Sequence, residues 1–372
     1  MLIVAALALA AAAVRHEAPV ARLTWPRAFV ASYAAWAALA ALSIAWSESS
    51  GYSLGEWRRE VLYGALAFGV FYAGTADARS WRRGCAILLA GAAVLALAEL
   101  VRSASAIAWL ARPVDGGPGR FSTHLVIVAP LVACLLHEAP LGFGWRPWLA
   151  ALVVCVFSIA AFASGNRIVW IAFLAEFVVI AALARAPGAG AARRLVVAGG
   201  FAALIFVLFA LSVVQKAEDR YPEAANAGES LAMDLRPKLW GLAVDAIADR
   251  PLFGHGYGHE ILMERFRTGI GERGREFATH GHNVFLNAAV SLGAAGLALL
   301  VAMLASLAFA YRRLLAQPAT RLLGVLGLAV LAGFLAKNLT DDFFVRHNAL
   351  VFWAVNGMLL GLGQRLGTAR AP

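Results

Sequence analysis

The sequence predicts an all-α polytopic membrane protein, and its composition and hydropathy pattern are the observations that predict it. Hydrophobic residues make up 61% of the 372 residues, charged residues make up only 15%, and the mean hydropathy is +0.73. Apolar stretches long enough to cross about 30 Å of hydrocarbon recur along the chain. Because a backbone inside lipid must satisfy its own hydrogen bonds, we expect these stretches to be helices.

About 11–12 transmembrane helices are expected from the apolar segments. The clear candidates cover residues 2–14, 27–46, 61–76, 84–101, 122–137, 147–163, 167–184, 194–214, 283–311, 320–337 and 347–363. A weaker segment around 104–110 accounts for the uncertainty of one span. The first segment imitates a secretory signal but has no positive region before it, so we interpret it as a retained membrane helix.

Orientation follows from the basic residues, because short cytoplasmic loops carry an excess of Lys and Arg. The basic loops contain Arg15, Arg22, Arg27, Arg79, Arg82, Arg83, Arg146, Arg185, Arg193, Arg194, Arg312, Arg313, Arg321, Arg365 and Arg370. We therefore place these loops in the cytoplasm and the one long loop, residues 215–281, in the periplasm. The expected organisation is a helical bundle formed by residues 1–214 and 282–372, with 215–281 as a helical periplasmic subdomain.

The remaining composition excludes several classes of function. The net charge of +10 comes from basic residues dispersed among loops, which indicates contact with membrane lipids and no nucleic-acid partner. Cys85, Cys134 and Cys155 have neither metal-ligand nor redox spacing. Glu99 and Glu176 are the acidic residues inside the predicted spans, and they form no regular charge ladder, which weakens a transporter interpretation.

A helix within the long loop begins with a candidate phosphate-binding residue. The pattern of residues 235–251 is typical of an amphipathic helix with Pro237 in its first turn. Its apolar face is expected to carry Leu239, Trp240, Ala243, Val244 and Ile247. Arg236 stands at the start, where unpaired backbone N–H groups and the helix dipole assist a guanidinium in holding a phosphate. The alternative is a surface ion pair of Arg236 with Asp234 or Glu229.

The strongest signal lies where the long loop re-enters the membrane. His282 and Asn283 stand at the beginning of an apolar helix, and its later glycines, Gly293 and Gly296, are expected to allow close packing against a neighbour. An imidazole at this depth lies near the lipid headgroups, where a lipid-linked substrate presents its reactive end. It can accept a proton near neutral pH, which makes His282 a candidate general base.

Two other interpretations of His282 remain open from the sequence. It could be a helix-capping or interfacial histidine, or a metal ligand shared with His280, His255 or His259. Histidines at these spacings are a weak zinc signal, because no carboxylate or cysteine completes an obvious set. We therefore expect no metal.

A third candidate is Arg167, which joins two predicted spans on the exterior side. A charge near a membrane helix is costly unless it meets an anion, so a functional role is the first hypothesis. A snorkelling anchor is the alternative. Arg120 and the group Lys337, Asp341, Asp342 and Arg346 are less informative, because ordinary interfacial pairing also explains them.

Three segments resemble one known family. The motif HN-x9-GAAG at 282–296 is similar to the H[NSQ]-x9-G-x-x-[GTY] pattern of O-antigen ligases. Residues 236–258 resemble the segment that precedes this motif in the family, and residues 164–170 (SGNRIVW) resemble its Ser-x-x-Arg segment. The hydropathy layout, with one large periplasmic loop before the last helices, is also similar.

The resemblance implies a metal-independent, inverting, GT-C-like membrane glycosyltransferase of lipopolysaccharide biosynthesis, without a cofactor. The implied donor is an undecaprenyl diphosphate-linked glycan and the implied acceptor is lipid A-core oligosaccharide, at the periplasmic face of the bacterial inner membrane. By the same resemblance, His282 is the general base, and Arg167 and Arg236 bind the diphosphate. Supporting positions are expected at Asn283, His280 and Arg120.

Several related functions share these sequence features. An O-antigen polymerase has the same layout and donor but lengthens the carrier-linked chain, and a protein O-oligosaccharyltransferase shares the histidine motif but glycosylates a protein. Neither is distinguished from a ligase by the sequence. A lipid-linked glycan transporter, from a different class, would need a central polar pathway or paired broken helices, and neither is clear in the sequence.

Overall fold

The protein is helical throughout the residues that the structure describes. The computed structural model describes residues 25–104, 118–137, 145–183, 191–220, 234–272, 278–342 and 344–368. All regular structure in these ranges is helical, and several of the helices are long and apolar enough to cross a membrane. The predicted fold class, an all-α multi-pass membrane protein, is therefore confirmed.

The described ranges contain fourteen α-helices. They are α1 Arg27–Leu42, α2 Ser50–Glu56, α3 Tyr63–Gly74, α4 Ala78–Ala104, α5 Pro118–Val128, α6 Val132–His137, α7 Trp145–Ala163, α8 Ile168–Leu183, α9 Ala191–Arg220, α10 Arg236–Asp249, α11 Met263–Ile270, α12 Val284–Leu314, α13 Arg321–Asn338 and α14 Arg346–Thr368. A π-helical turn, Trp57–Leu62, connects α2 to α3, and a 3-10 turn, Ala129–Leu131, connects α5 to α6.

Six helices in the described ranges have the length and hydropathy of a membrane span. They are Arg27–Trp46, Ala78–Ala104, Trp145–Ala163, Val284–Leu314, Arg321–Asn338 and Arg346–Gly367, and shorter apolar helices cover Gly119–Leu135, Ile168–Leu183 and Gly199–Gln215. Every predicted span from 27–46 onward falls on a helix. The predicted span 2–14 and the weak segment beyond residue 104 lie outside the described residues, so the total count stays a prediction.

Glycines allow the last helix to pack directly on the backbone of α3. Gly357 and Gly361 lie one turn apart on α14, and a Cβ at either position would collide with the α3 backbone at Phe68 or Tyr72. Close van der Waals packing of this kind holds membrane helices together, because apolar lipid tails leave little hydrophobic drive for helix association. The contact unites the beginning and the end of the described chain in one core.

The long helix α12 is broken at Gly293, where the backbone has φ 66° and ψ −165°. The loop that follows α10 packs into the break: Ala294 N donates to Pro251 O at 2.8 Å, and Ala295 N donates to Leu252 O at 3.2 Å. A Cβ at Gly293 would collide with the backbone of Leu252. The close packing expected at this glycine is therefore made by a loop, which is thereby fixed to the membrane bundle.

Gly296 has a different environment from the expected one. A Cβ at this position would collide with the side chain of Leu292, one turn earlier on the same helix. Its nearest contact thus lies within α12 and not on a neighbouring helix.

The described part of the 215–281 loop has its own apolar cluster. The cluster consists of Leu239, Ala243, Ala246, Ile261, Phe266, Ile270 and Ala278, together with Val290 of α12. The helix predicted at 235–251 is confirmed, with observed bounds Arg236–Asp249. One residue of its predicted apolar face, Val244, is 55% exposed instead of buried.

Candidate active site

His282 lies in the turn that leads into α12, in a backbone conformation that few residues other than glycine adopt. Its φ is 48°, and its side chain is buried. The side chain of Asn283 caps α12, because its Oδ1 accepts hydrogen bonds from Phe285 N at 2.9 Å and Leu286 N at 3.1 Å. The capping role thus belongs to Asn283 and does not explain His282. Unusual backbone conformations held by their surroundings cluster at functional sites.

Two further histidines stack beside His282. The ring centroids of His280 and His282 are 4.1 Å apart, and those of His259 and His280 are 3.9 Å apart. Burial lowers the pKa of His259 to about 4, and burial followed by the charge of His259 lowers the pKa of His280 well below its usual range. Both imidazoles are therefore neutral at pH 7. Folding thus brings His259 and His280, which come from two separate parts of the long loop, into contact.

Arg236, the first residue of α10, is surrounded by acceptors. Its Nη1 donates to Asp234 Oδ2 at 2.8 Å, its Nε donates to Thr340 O at 2.8 Å, and its Nη2 lies 3.3 Å from Asp341 Oδ1. Burial opposes the charge, but Asp341 and Asp234 outweigh burial and raise the pKa of the guanidinium. The ion pair of Arg236 with Asp234, which the sequence offered as the alternative, is thus present. Arg236 also contacts a second acid, Asp341, which that alternative did not include. Glu229 lies outside the described residues.

Arg167 is brought to the same place by the turn before α8. Gly165 takes φ 63° in this turn, and Asn166 Oδ1 accepts a hydrogen bond from Ile168 N at 3.2 Å. The guanidinium Nη2 of Arg167 lies 3.6 Å from Asp234 Oδ2, the same oxygen that Arg236 binds. Arg167 is only 9% exposed, so protein atoms enclose its side chain, whereas a snorkelling anchor extends its charged end into water. Two arginines remote in sequence converge on one carboxylate oxygen.

Asp341, in the connection between α13 and α14, links the arginines to the histidines. Its Oδ1 lies 3.3 Å from Arg236 Nη2 and 3.6 Å from His282 Nδ1. Its Oδ2 accepts hydrogen bonds from Lys337 Nζ at 2.5 Å and Asn166 Nδ2 at 3.1 Å. Burial alone would raise the pKa of this carboxyl, but Lys337, His282 and Arg236 hold it well below its usual range. The Asp341 carboxyl group is therefore ionised, and it connects Arg236 with His282.

Asp342 and Arg120 border the histidines. His259 Nε2 lies 3.0 Å from the backbone carbonyl oxygen of Asp342. The Asp342 carboxylate accepts a hydrogen bond from Asn287 Nδ2 at 2.5 Å, and burial raises its pKa to about 6. After burial, the charge of Arg120 is among the causes that lower the pKa of His259 and His280. The charge of Arg120 therefore acts on the histidines of the site.

Sequence reasoning missed the acidic residues of the site, Asp234 and Asp341. Ordinary interfacial pairing is wrong for Lys337 and Asp341, which are 0% and 2% exposed and contact each other inside the protein. Their spacing of four residues at the end of a span was the available signal, because ionisable groups in membrane helices are rare, paired and commonly functional. Asp234 carries no comparable signal, since an acid two residues before an arginine is common on surfaces.

One group of side chains could also hold a metal ion. A ligand atom from each of His259, Glu260 and His280 lies within 4.8 Å of the others. The sequence indicated no carboxylate for such a set, and the fold supplies Glu260 from the turn after α10. His255, another proposed ligand, is engaged elsewhere, because its Nε2 lies 2.9 Å from the carbonyl oxygen of Ala246.

The charges of the site suit an anionic substrate. The cationic side chains Arg167, Arg236 and Lys337 are buried or half-buried, and they contact two carboxylates, Asp234 and Asp341. Guanidinium groups bind phosphate through charge-assisted hydrogen bonds, which are stronger where water is scarce. An anion can therefore bind here beside an imidazole.

Comparison with known proteins agrees with this arrangement. No curated protein matches the chain. Residues 150–301, however, match the family model described as O-Antigen ligase, and this segment includes Arg167, Arg236 and His282. The match supports the O-antigen ligase/polymerase superfamily of membrane glycosyltransferases and not one acceptor within it. Residues 150–301 are therefore similar to the O-antigen ligase family.

Proposed function

We propose that the protein is an O-antigen ligase, which transfers a glycan from undecaprenyl diphosphate to lipid A-core oligosaccharide on the periplasmic face of the inner membrane. The observation that carries the proposal is the convergence of Arg167 and Arg236 on one carboxylate oxygen, with His282 joined to Arg236 through Asp341. The family match over residues 150–301 supports the reaction class.

The two arginines hold the diphosphate of the donor. The Asp234 carboxylate, which contacts both guanidiniums, occupies the position that we assign to a diphosphate oxygen. Charge develops on the diphosphate as its bond to the sugar breaks. Preorganised cations in a partly dry site stabilise that charge in the transition state, which is usually a large part of catalysis.

His282 activates the acceptor. A ring nitrogen takes the proton of the acceptor hydroxyl while the hydroxyl oxygen attacks the anomeric carbon of the donor sugar. The bond from that carbon to the diphosphate oxygen breaks, and undecaprenyl diphosphate leaves with the electron pair. Attack opposite the leaving group inverts the anomeric configuration. The Asp341 carboxylate, 3.6 Å from His282 Nδ1, stabilises the imidazolium that forms.

The decisive experiment is transfer by purified wild-type and His282→Ala protein, given the polyprenyl diphosphate glycan and lipid A-core in detergent with a metal chelator. We expect glycosylated lipid A-core from the wild type and a loss of about 10²–10⁴-fold in the variant, the usual range for a missing general base. Donor binding should be nearly unchanged. His347→Ala, at a histidine outside the stacked set, is the matched control and should transfer normally.

Two results would change the assignment. Ample transfer by His282→Ala would remove the general-base role from this residue. If the wild type binds the donor but makes no lipid A-core product, the same assay with a pilin-like protein acceptor, and a search for lengthened carrier-linked chains, separate a protein O-oligosaccharyltransferase from a polymerase.

A further inference from the structure

We propose that His259, Glu260 and His280 form a binding site for a divalent transition metal ion such as Zn²⁺. The ion would fasten the turn after α10 to the segment that leads into α12. It takes no part in the transfer step, and the proposal stands independently of which acceptor the enzyme uses.

The geometry of the three side chains fits a metal with few ligands. One ligand atom from each residue lies within 4.8 Å of the other two. Zinc takes nitrogen and carboxylate oxygen ligands at about 2.0–2.2 Å, and a set of three protein ligands with one water completes its tetrahedral geometry.

Hydrogen bonds orient both histidine rings. His259 Nε2 lies 3.0 Å from the Asp342 carbonyl oxygen, and a carbonyl can only accept, so Nε2 is the donor in this contact and Nδ1 is the nitrogen that can coordinate a metal. Thr279 Oγ1 lies 2.7 Å from His280 Nδ1 and fixes the orientation of that ring. Metal-binding histidines usually have such a second hydrogen bond, which fixes the tautomer and the ring orientation.

Charge and access also favour a cation. Glu260 supplies a negative charge, and its backbone N–H donates to the Tyr52 hydroxyl at 2.9 Å, which holds the turn in place. His259 and Glu260 are only half-buried, so an ion can enter from outside. The nearby charge of Arg120 opposes the ion, and we expect moderate affinity.

The test is isothermal titration calorimetry of the purified full chain with ZnCl₂, after removal of bound metal with a chelator. We expect one Zn²⁺ per wild-type chain and an affinity at least tenfold lower in Glu260→Gln and in His280→Ala. Glu264→Gln, an exposed acid of the neighbouring helix, is the matched control and should bind like the wild type. Saturating Zn²⁺ should raise the unfolding midpoint of the wild type more than that of Glu260→Gln.

Glu260→Gln preserves size, and its unfolding midpoint without metal reports whether it folds. The absence of saturable Zn²⁺ binding by the wild type, or wild-type affinity in both Glu260→Gln and His280→Ala, would overturn the site. Equal binding of Mg²⁺ would overturn its assignment to transition metals, because Mg²⁺ prefers oxygen ligands. Since binding and unfolding are measured without substrates, failure here leaves the proposed transfer untouched, and failure of transfer leaves this site untouched.

Discussion

Asp341 is the residue on which the buried charges of the site depend. Its carboxylate contacts Lys337, Arg236 and Asn166, and lies beside His282. Removing one member of a buried ion pair leaves the other charge without a partner in a poorly solvated place. This penalty commonly exceeds the net contribution of the pair, which makes the network sensitive to single substitutions.

Asp341→Asn is therefore expected to lower both stability and transfer. Removing the negative charge that Lys337 Nζ contacts should cost about 3–5 kcal/mol of unfolding free energy, and transfer should fall because Arg236 and His282 lose their common anion. Asp341→Asn/Lys337→Met removes the buried ammonium together with this carboxylate, so stability should largely return while transfer stays low. Unfolding in detergent and the lipid A-core assay measure the two effects.

The double variant separates positioning from folding. Recovery of transfer together with stability would mean that Asp341 serves the fold alone. Wild-type stability of the single variant would contradict the buried ion pair itself.

Lysine substitutions of Arg167 and Arg236 test whether the proposed diphosphate site requires only a positive charge or also the shape of the guanidinium group. A lysine keeps the charge but loses the planar fork that binds two oxygens at once. Because a hydrogen bond to a charged group is worth about 1.5–3 kcal/mol, we expect transfer by Arg167→Lys or Arg236→Lys to fall about tenfold or more. Arg265→Lys, at an exposed pair with Asp249, is the control. Near-normal transfer by both variants would contradict the diphosphate role.

At the scale of secondary-structure elements, the break in α12 joins the exterior loop to the membrane bundle. His255 N donates to Val290 O at 3.0 Å, and Gly256 N donates to Ser291 O at 2.9 Å, just before the break at Gly293. These bonds use backbone groups that a continuous helix would pair internally. The turn bearing His259 is thereby held against the same helix that begins after His282.

Gly293→Ala should disrupt this junction. Alanine has no favourable conformation at φ 66°, and its Cβ would collide with the backbone of Leu252. We therefore expect the unfolding free energy to fall by at least about 2 kcal/mol and transfer to be reduced. Gly241→Ala, on an exposed face of α10 with open space around it, is the control and should be neutral or stabilising by up to about 1 kcal/mol. An unchanged unfolding curve for Gly293→Ala would show that the junction does not depend on this glycine.

At the scale of the whole molecule, basic loops and active site are expected on opposite sides of the membrane. The α12–α13 connection follows Arg312 and Arg313, so we expect it on the cytoplasmic side. Helix α11 belongs to the loop that carries the histidines, so we expect it on the opposite side. A donor displayed outside the cytoplasm can reach the site only if this orientation is correct.

Cysteine labelling in intact spheroplasts tests the orientation. Glu264→Cys, at an exposed position of α11, should react with a membrane-impermeant maleimide, and Gln317→Cys, exposed in the α12–α13 connection, should react only after permeabilisation. The unmodified chain controls for the native cysteines, of which Cys85 and Cys134 are buried. The reverse labelling pattern would contradict the topology.

The helices and three site residues were predictable from local features. An apolar run long enough to cross the bilayer predicts a helix wherever it occurs, because lipid offers the backbone no other partner. The helix start at Arg236, the turn at Arg167 and the membrane re-entry at His282 likewise follow from neighbouring residues, and the resemblance to the family suggests the roles that we propose for them.

The partners of those residues were not predictable in the same way. Asp234 between two arginines, Asp341 between Arg236 and His282, and Glu260 beside His280 are contacts of side chains brought together by packing. Hydropathy and helical periodicity describe only neighbours within a few turns of the chain. Which acidic side chain contacts which basic side chain depends on how helices remote in sequence pack and on where their connecting loops contact the bundle. Both are properties of the folded bundle.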